Sequence, residues 1–162
     1  MKGAIGNAFI MNIVITFIFL FFMILIGSMA YSKAYKTKNY LINLIDDEER
    51  VGNHNFYEYN KIGEWDAKTD AFLGEIGYPI SNKTRGTCTV KDHYNAVIVN
   101  KAGRYDYCIY KQTIIYSIFG DPVIDTRYNY LVLVYMKFDL PLVGGLIKIP
   151  ITGETKAYTI YR

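Results

Sequence analysis

Cys88 and Cys108, the only two cysteines, are the residues whose type and spacing point most directly to a chemical bond. They are even in number and bracket a stretch that reads as a hairpin, as expected of a disulfide in a small domain facing an oxidising compartment. Closing a loop of that size adds about 3 kcal/mol by the chain-entropy estimate. The two histidines, His54 and His93, lie far apart and outside the tight paired spacings of structural zinc sites, so a disulfide is expected rather than a metal. Neither histidine accompanies a nucleophile signature such as a glycine-flanked serine elbow. No phosphate-cradling glycine loop and no carboxylate pair in a catalytic setting is recognisable, so neither enzymatic chemistry nor a cofactor is expected. Trp65 reads as a core or rim residue at the start of a helix, with a binding anchor as the alternative. Asn82-Lys83-Thr84 fits a glycosylation sequon, which matters only in a eukaryotic secretory host. Asp46, Asp47, Glu48 and Glu49 have no metal-ligand spacing and read as a solvated helix end, where acidic residues oppose the helix dipole.

The elements that carry these residues follow from composition and patterning. The chain has 162 residues, 51% hydrophobic and 20% charged, which suits one folded domain. A net charge of +3 without clustering is too mild to indicate a nucleic-acid partner, and none is expected. The sixteen tyrosines are explained at least as well by coding bias as by function and decide nothing alone. The decisive feature is uneven: no Asp, Glu, Lys or Arg occurs from Gly3 through Ser32. Residues 9–29 would form a helix of about 31 Å, against a hydrocarbon core of about 30 Å. Unpaired backbone groups are costly in lipid, so this segment is expected to be helical despite its β-branched residues.

Three fates are open to that segment. It is a retained anchor, a secretory signal cut after Ser28-Met29-Ala30, or a pilin-like leader trimmed near its start. The apolar run exceeds the roughly 7–15 residues of a signal h-region. Residues 140–151 are too short and too broken by Pro141, Gly144, Gly145, Lys148 and Pro150 to cross again, so the chain is at most single-pass. Lys33, Lys36 and Lys38 outnumber Lys2 and favour a cytoplasmic domain by the positive-inside rule. The cysteine pair argues for the outside, and the outside is the expectation.

Residues 32–50 keep a helical period, with Ala34, Leu41, Leu44 and Ile45 beside Tyr35. The helix is therefore expected to continue past the lipid, dividing the chain into a membrane helix (1–31), its amphipathic extension (32–50) and an extracytoplasmic domain (51–162). Such a spine packs on its own domain alone, or on neighbouring subunits as well. Gly27, Ala30 and Ala34 would let another helix approach closely, and Asn12 and Thr16 share one face of the apolar segment, where an amide gains from a partner. Residues 52–63 read as a loop and 66–76 as a second helix ending at Gly77, weakened by Gly74. Strands are expected at 95–100, 104–118, 127–139, 147–151 and 157–161, antiparallel, with turns at 100–103, 120–122 and Thr152-Gly153-Glu154. Both alternating faces of 128–138 are apolar, which puts that strand at the sheet centre beneath the spine. The fold class is α+β: a long helix on a small antiparallel sheet.

This order of parts, from Met1-Lys2-Gly3 through an apolar helix and amphipathic extension to a small mixed domain, resembles type IV pilin-like proteins. Residues 140–154, LPLVGGLIKIPITGE, are similar to the closing strands of TadE-like pseudopilins of tight-adherence pili. The resemblance implies a non-enzymatic subunit in a bacterial cell envelope, with its C-terminal domain outside. Its implied partners are membrane lipid, other pilin-like subunits and the pilus assembly machinery. It also implies leader cleavage after Gly3 or Gly6. The glutamate that such leaders carry five residues into the mature chain would fall on Ala8 or Met11, which suits a minor or initiating subunit better than a major one. The alternative is a monomeric anchored or secreted binding domain that uses the tyrosine-rich sheet.

Overall fold

A computed structural model describes residues 2–51, 62–78, 88, 95–99, 107–116, 125–140 and 145–159. The first element is a single helix, α1 (Lys2–Arg50). Its second half is amphipathic in the required sense: Ala34, Thr37, Leu41, Ile45 and Glu49 recur at three- and four-residue steps and are all buried. Thr37 sits among the apolar residues at no cost in unpaired groups, because its hydroxyl donates to the Lys33 carbonyl at 2.9 Å. Full burial of Leu41 and Ile45 stabilises the domain by about 1.5–3 kcal/mol each.

The second helix, α2 (Ile62–Glu75), begins four residues before the expected start, taking Ile62 and Gly63 out of the expected loop. It ends as expected at Gly77, whose φ of 63° is the left-handed conformation glycine adopts without strain. Tyr78 N–H donates to the Leu73 carbonyl at 2.9 Å and Gly77 N–H to that of Gly74 at 3.1 Å, a Schellman cap. Lys33 Nζ, on α1, adds a hydrogen bond to the Gly77 carbonyl at 2.9 Å. The two helices meet through Tyr40 and Phe72, stacked with ring centroids 3.9 Å apart. A half-exposed ion pair between Lys68 and Glu48, 3.7 Å long, adds little to that contact.

The rest is one antiparallel sheet of β1 (Asn95–Val99), β2 (Tyr107–Tyr116), β3 (Asp125–Leu140), β4 (Gly145–Glu154) and β5 (Tyr158–Thr159). The first four pair in chain order. β3 lies at the centre, as its two apolar faces require. Tyr128, Tyr130, Val132, Val134 and Met136 face α1 and join Ala34, Leu41, Ile45, Leu73 and Tyr107 in the main core. Leu131 and Leu133 alternate onto the far face with Tyr110 and Cys108, where Cys88 packs.

Two expectations about the end of the chain are corrected. Thr152-Gly153-Glu154 is not a turn: β4 runs through it, Glu154 opposite Leu131. The last strand does not pair with β4 either; β5 returns to the same edge of β3, at Arg127 and Tyr128. Thr155 bridges the interval, its N–H donating to the Tyr130 carbonyl at 2.9 Å and its hydroxyl accepting from Tyr130 N–H at 3.0 Å. Gly153 is used for close approach, since a Cβ there would stand 2.7 Å from Lys38 Cδ and 2.9 Å from Ile42 Cδ1. Those atoms belong to flexible side-chain ends, so Gly153→Ala is expected to lower unfolding stability by only about 1 kcal/mol, measured by urea denaturation. Pro150 sits on the outer strand β4, where a missing N–H discourages pairing with another chain.

Candidate functional site

The site is α1 itself: an apolar half that is unburied among the described residues, joined without a break to a half that forms the domain's core. Among the described residues α1 is the one helix long and apolar enough to cross a membrane, and its apolar window is unburied. Phe9, Phe17 and Ile24 are each about 70% exposed, and large aliphatic and aromatic side chains stand outward all around this half. A helix apolar on every side fits a hydrocarbon environment and not water. Lys2, Gly3 and Gly6 belong to the same helix, so both expected leader positions are helical in backbone.

The residues expected to mediate helix packing separate into two groups. Asn12 and Thr16 lie exposed on the apolar half, in a shallow groove with Phe9, Ile13, Phe17 and Leu20. The Thr16 hydroxyl is already engaged, donating to the Asn12 carbonyl one turn back at 2.8 Å. Gly27 has open space where a Cβ would stand. Ala34 is different. It is fully buried in the chain's own core, and Ala30 packs against that core. Ala34, with no exposed surface, brings the spine close to its own sheet, whereas Ala30 is part-buried beside it. Asn12 and Thr16 remain exposed, while Gly27 is part-shielded with open space where a Cβ would stand.

Cys88 and Cys108 are paired as expected, with Cα atoms 5.8 Å apart and a sequence separation of 20. The bond ties Cys88 to β2 on the sheet face away from α1. His54, His93 and the sequon at residues 82–84 lie outside the described residues, and of Trp65 the structure describes the backbone, within α2. No group of metal-ligating side chains forms among the described residues.

The acidic run is the main feature that sequence reasoning misplaced. Rather than a solvated end, its Glu49 is 4% exposed. Tyr128 and Tyr130, successive inward residues of β3, donate their hydroxyls to its two carboxylate oxygens at 2.6 and 2.8 Å. Tyr158 of β5 donates to Asp46 one turn earlier. The three rings pack together, Tyr128 edge-on to Tyr130 at 5.8 Å, and Lys111 Nζ lies 4.1 Å from the Tyr128 ring centroid. The Glu48 and Asp47 side chains remain partly or largely outside, Asp47 pairing with Arg50. A signal was present: glutamate at position 49 continues the buried spacing 34, 41, 45, and tyrosines at 128 and 130 share one strand face.

Burial, then the hydrogen bond and charge of Asp46, push the Tyr158 phenol well above its ordinary value of 10.0. A phenol that ionises later when folded contributes stability fully present below pH ~10 and lost as pH rises above it, because only the unfolded chain gives up its proton there. Alkaline titration of unfolding stability should therefore show a decline starting near pH ~10 that is smaller in Tyr158→Phe.

The chain matches no family model, no curated protein and no solved structure.

Proposed function

We propose that this protein is a non-enzymatic, single-pass subunit of a bacterial envelope filament or pilus, similar in plan to TadE-like pseudopilins. Its domain stands outside and its apolar helix serves first as anchor and then as packing element. One observation carries the reading: a single 49-residue helix holds the uncovered apolar segment and the core of the folded domain in one rigid element. An anchor whose only task is attachment needs a linker, not a helix shared with the core. A shared helix transmits the position of the membrane segment to the domain, as ordered assembly of many copies requires. The disulfide supports the outside placement. The surface offered to neighbours is the membrane segment around Asn12 and Thr16, since Ala34 is taken up by the chain's own core.

Photo-crosslinking in the native membrane tests this. A crosslinker at Asn12 or Thr16 should give discrete adducts with other helical subunits, and one at Leu41 should give none. Adducts to lipid alone at both outer positions would refute the assembly role and leave an isolated anchor.

A further inference from the structure

The apolar stripe of α1 does not end where the membrane segment begins, and neither does the sheet. Two contacts fix how far β3 and β4 reach along the helix. Gly153, opposite Val132, touches Lys38 and Ile42, while Tyr128 and Tyr130 reach Glu49. From Val132 to Leu140, the end of β3, is eight residues, about 26 Å of strand, which matches roughly 17 residues of helix. Counting from Tyr130 gives about 33 Å, or roughly 22 helix residues. Both counts set Leu140 and its partner Gly145 level with α1 residues of about 22–27, within the apolar run and roughly 3–10 Å inside its outer end at Met29.

The residues around that level agree with it. Phe19, Met23, Gly27 and Ala30 are half-shielded, at the same helical spacing as the face that meets the sheet, whereas Leu20, Phe22 and Ile24 beside them are open. The paired strand ends carry Phe138, Leu140, Leu146 and Ile147. Lys148, exposed on β4, lies about one helical turn or two farther out, near the level of Lys33 and Lys36, while Lys137 opposite it in the register is buried. Tyr31 and Tyr35, stacked and about half exposed, occupy the same zone. Apolar residues below, with lysines and tyrosines above, is the order in which a membrane interface arranges them.

We infer that the β3–β4 hairpin is a second membrane contact: its paired end enters the headgroup and upper acyl region of the leaflet through which α1 leaves, so the domain is seated on the bilayer. This rests on α1 crossing the membrane. The occupant is lipid, because the hairpin end lies level with a helix segment whose own surroundings are lipid. While the subunit is in the membrane, this contact fixes the domain's tilt.

The test uses the full chain in vesicles of phosphatidylcholine and phosphatidylglycerol, with Trp65→Phe and one new tryptophan at a time. Leu146→Trp reports the hairpin, Ile18→Trp the helix centre and Lys156→Trp the far end of the domain. Lipids brominated near the headgroup end of the acyl chain should quench Leu146→Trp by about half, with iodide quenching several-fold weaker than for Lys156→Trp, as for an indole lying about 5–10 Å into the interface. Deeply brominated lipids should quench Ile18→Trp. If Ile18→Trp is quenched while Leu146→Trp is as open to iodide as Lys156→Trp, the hairpin contact is refuted and the anchor stands. If Ile18→Trp is not quenched, both fall. Phe138→Trp, on the paired strand, repeats the measurement should Leu146→Trp fail to form the Cys88–Cys108 bond.

Discussion

Replacing Glu49 with leucine is expected to destabilise the domain by about 3–4 kcal/mol, a large share of the stability of a domain this size. The change keeps the side chain's bulk, so it opens no large cavity. It withdraws the acceptor from two buried tyrosine hydroxyls at 2.6 and 2.8 Å, and hydrogen bonds to a charged group are worth about 1.5–3 kcal/mol each. Tyr128→Phe and Tyr130→Phe should each lose about 1–2 kcal/mol. Because all three residues share one cluster, their effects should not add. Glu49→Leu combined with both phenylalanines should recover much of the loss, since apolar groups then face one another. Urea unfolding of the four variants checks this. A loss below about 1 kcal/mol for Glu49→Leu would mean that the carboxylate is hydrated in solution.

Ala34→Leu should be the second severe change, at about 3 kcal/mol. Ala34 has no exposed surface and lies where α1 meets the sheet, so three added carbons must push the helix off β3 or force strained rotamers around Val132, Val134 and Tyr107. The effect separates two uses of a small residue on the spine. If Ala34 serves its own domain, the isolated protein melts earlier and any assembly defect follows from misfolding. If it served a neighbour, the monomer's melting would be unchanged. Gly27→Leu is the matching control: with open space at its Cβ, it should leave the domain's melting temperature within experimental error.

How far the sequence discloses this molecule depends on which signals are periodic and which are local. The spine was legible because 34, 41 and 45 repeat at helical spacing, and the central strand because 128–138 is apolar on both alternating faces. The cysteine pairing was legible from an even number bracketing an expected hairpin. Glu49 was not, because a run of four acids reads as solvent-facing until the three-dimensional fold brings three tyrosines from β3 and β5 to meet it. Thr152-Gly153-Glu154 has the composition of a turn, yet its glycine answers a different need, the approach of Lys38 and Ile42. Ala30 and Ala34 form a pattern that is identical whether the approaching surface is another chain or the chain's own sheet. Sequence spacing records that something comes close, and only the fold says what.

The central claim is that the apolar half of α1 is a permanent part of the working protein and spans a membrane. Intact-mass measurement on protein purified from its native host, with fractionation of the same cells, tests it most directly. The account predicts a mature chain that retains residues 9–29, begins at Met1, Ala4 or Asn7, and leaves the membrane fraction in detergent but not in alkaline carbonate. A water-soluble monomer beginning at Tyr31 would contradict it.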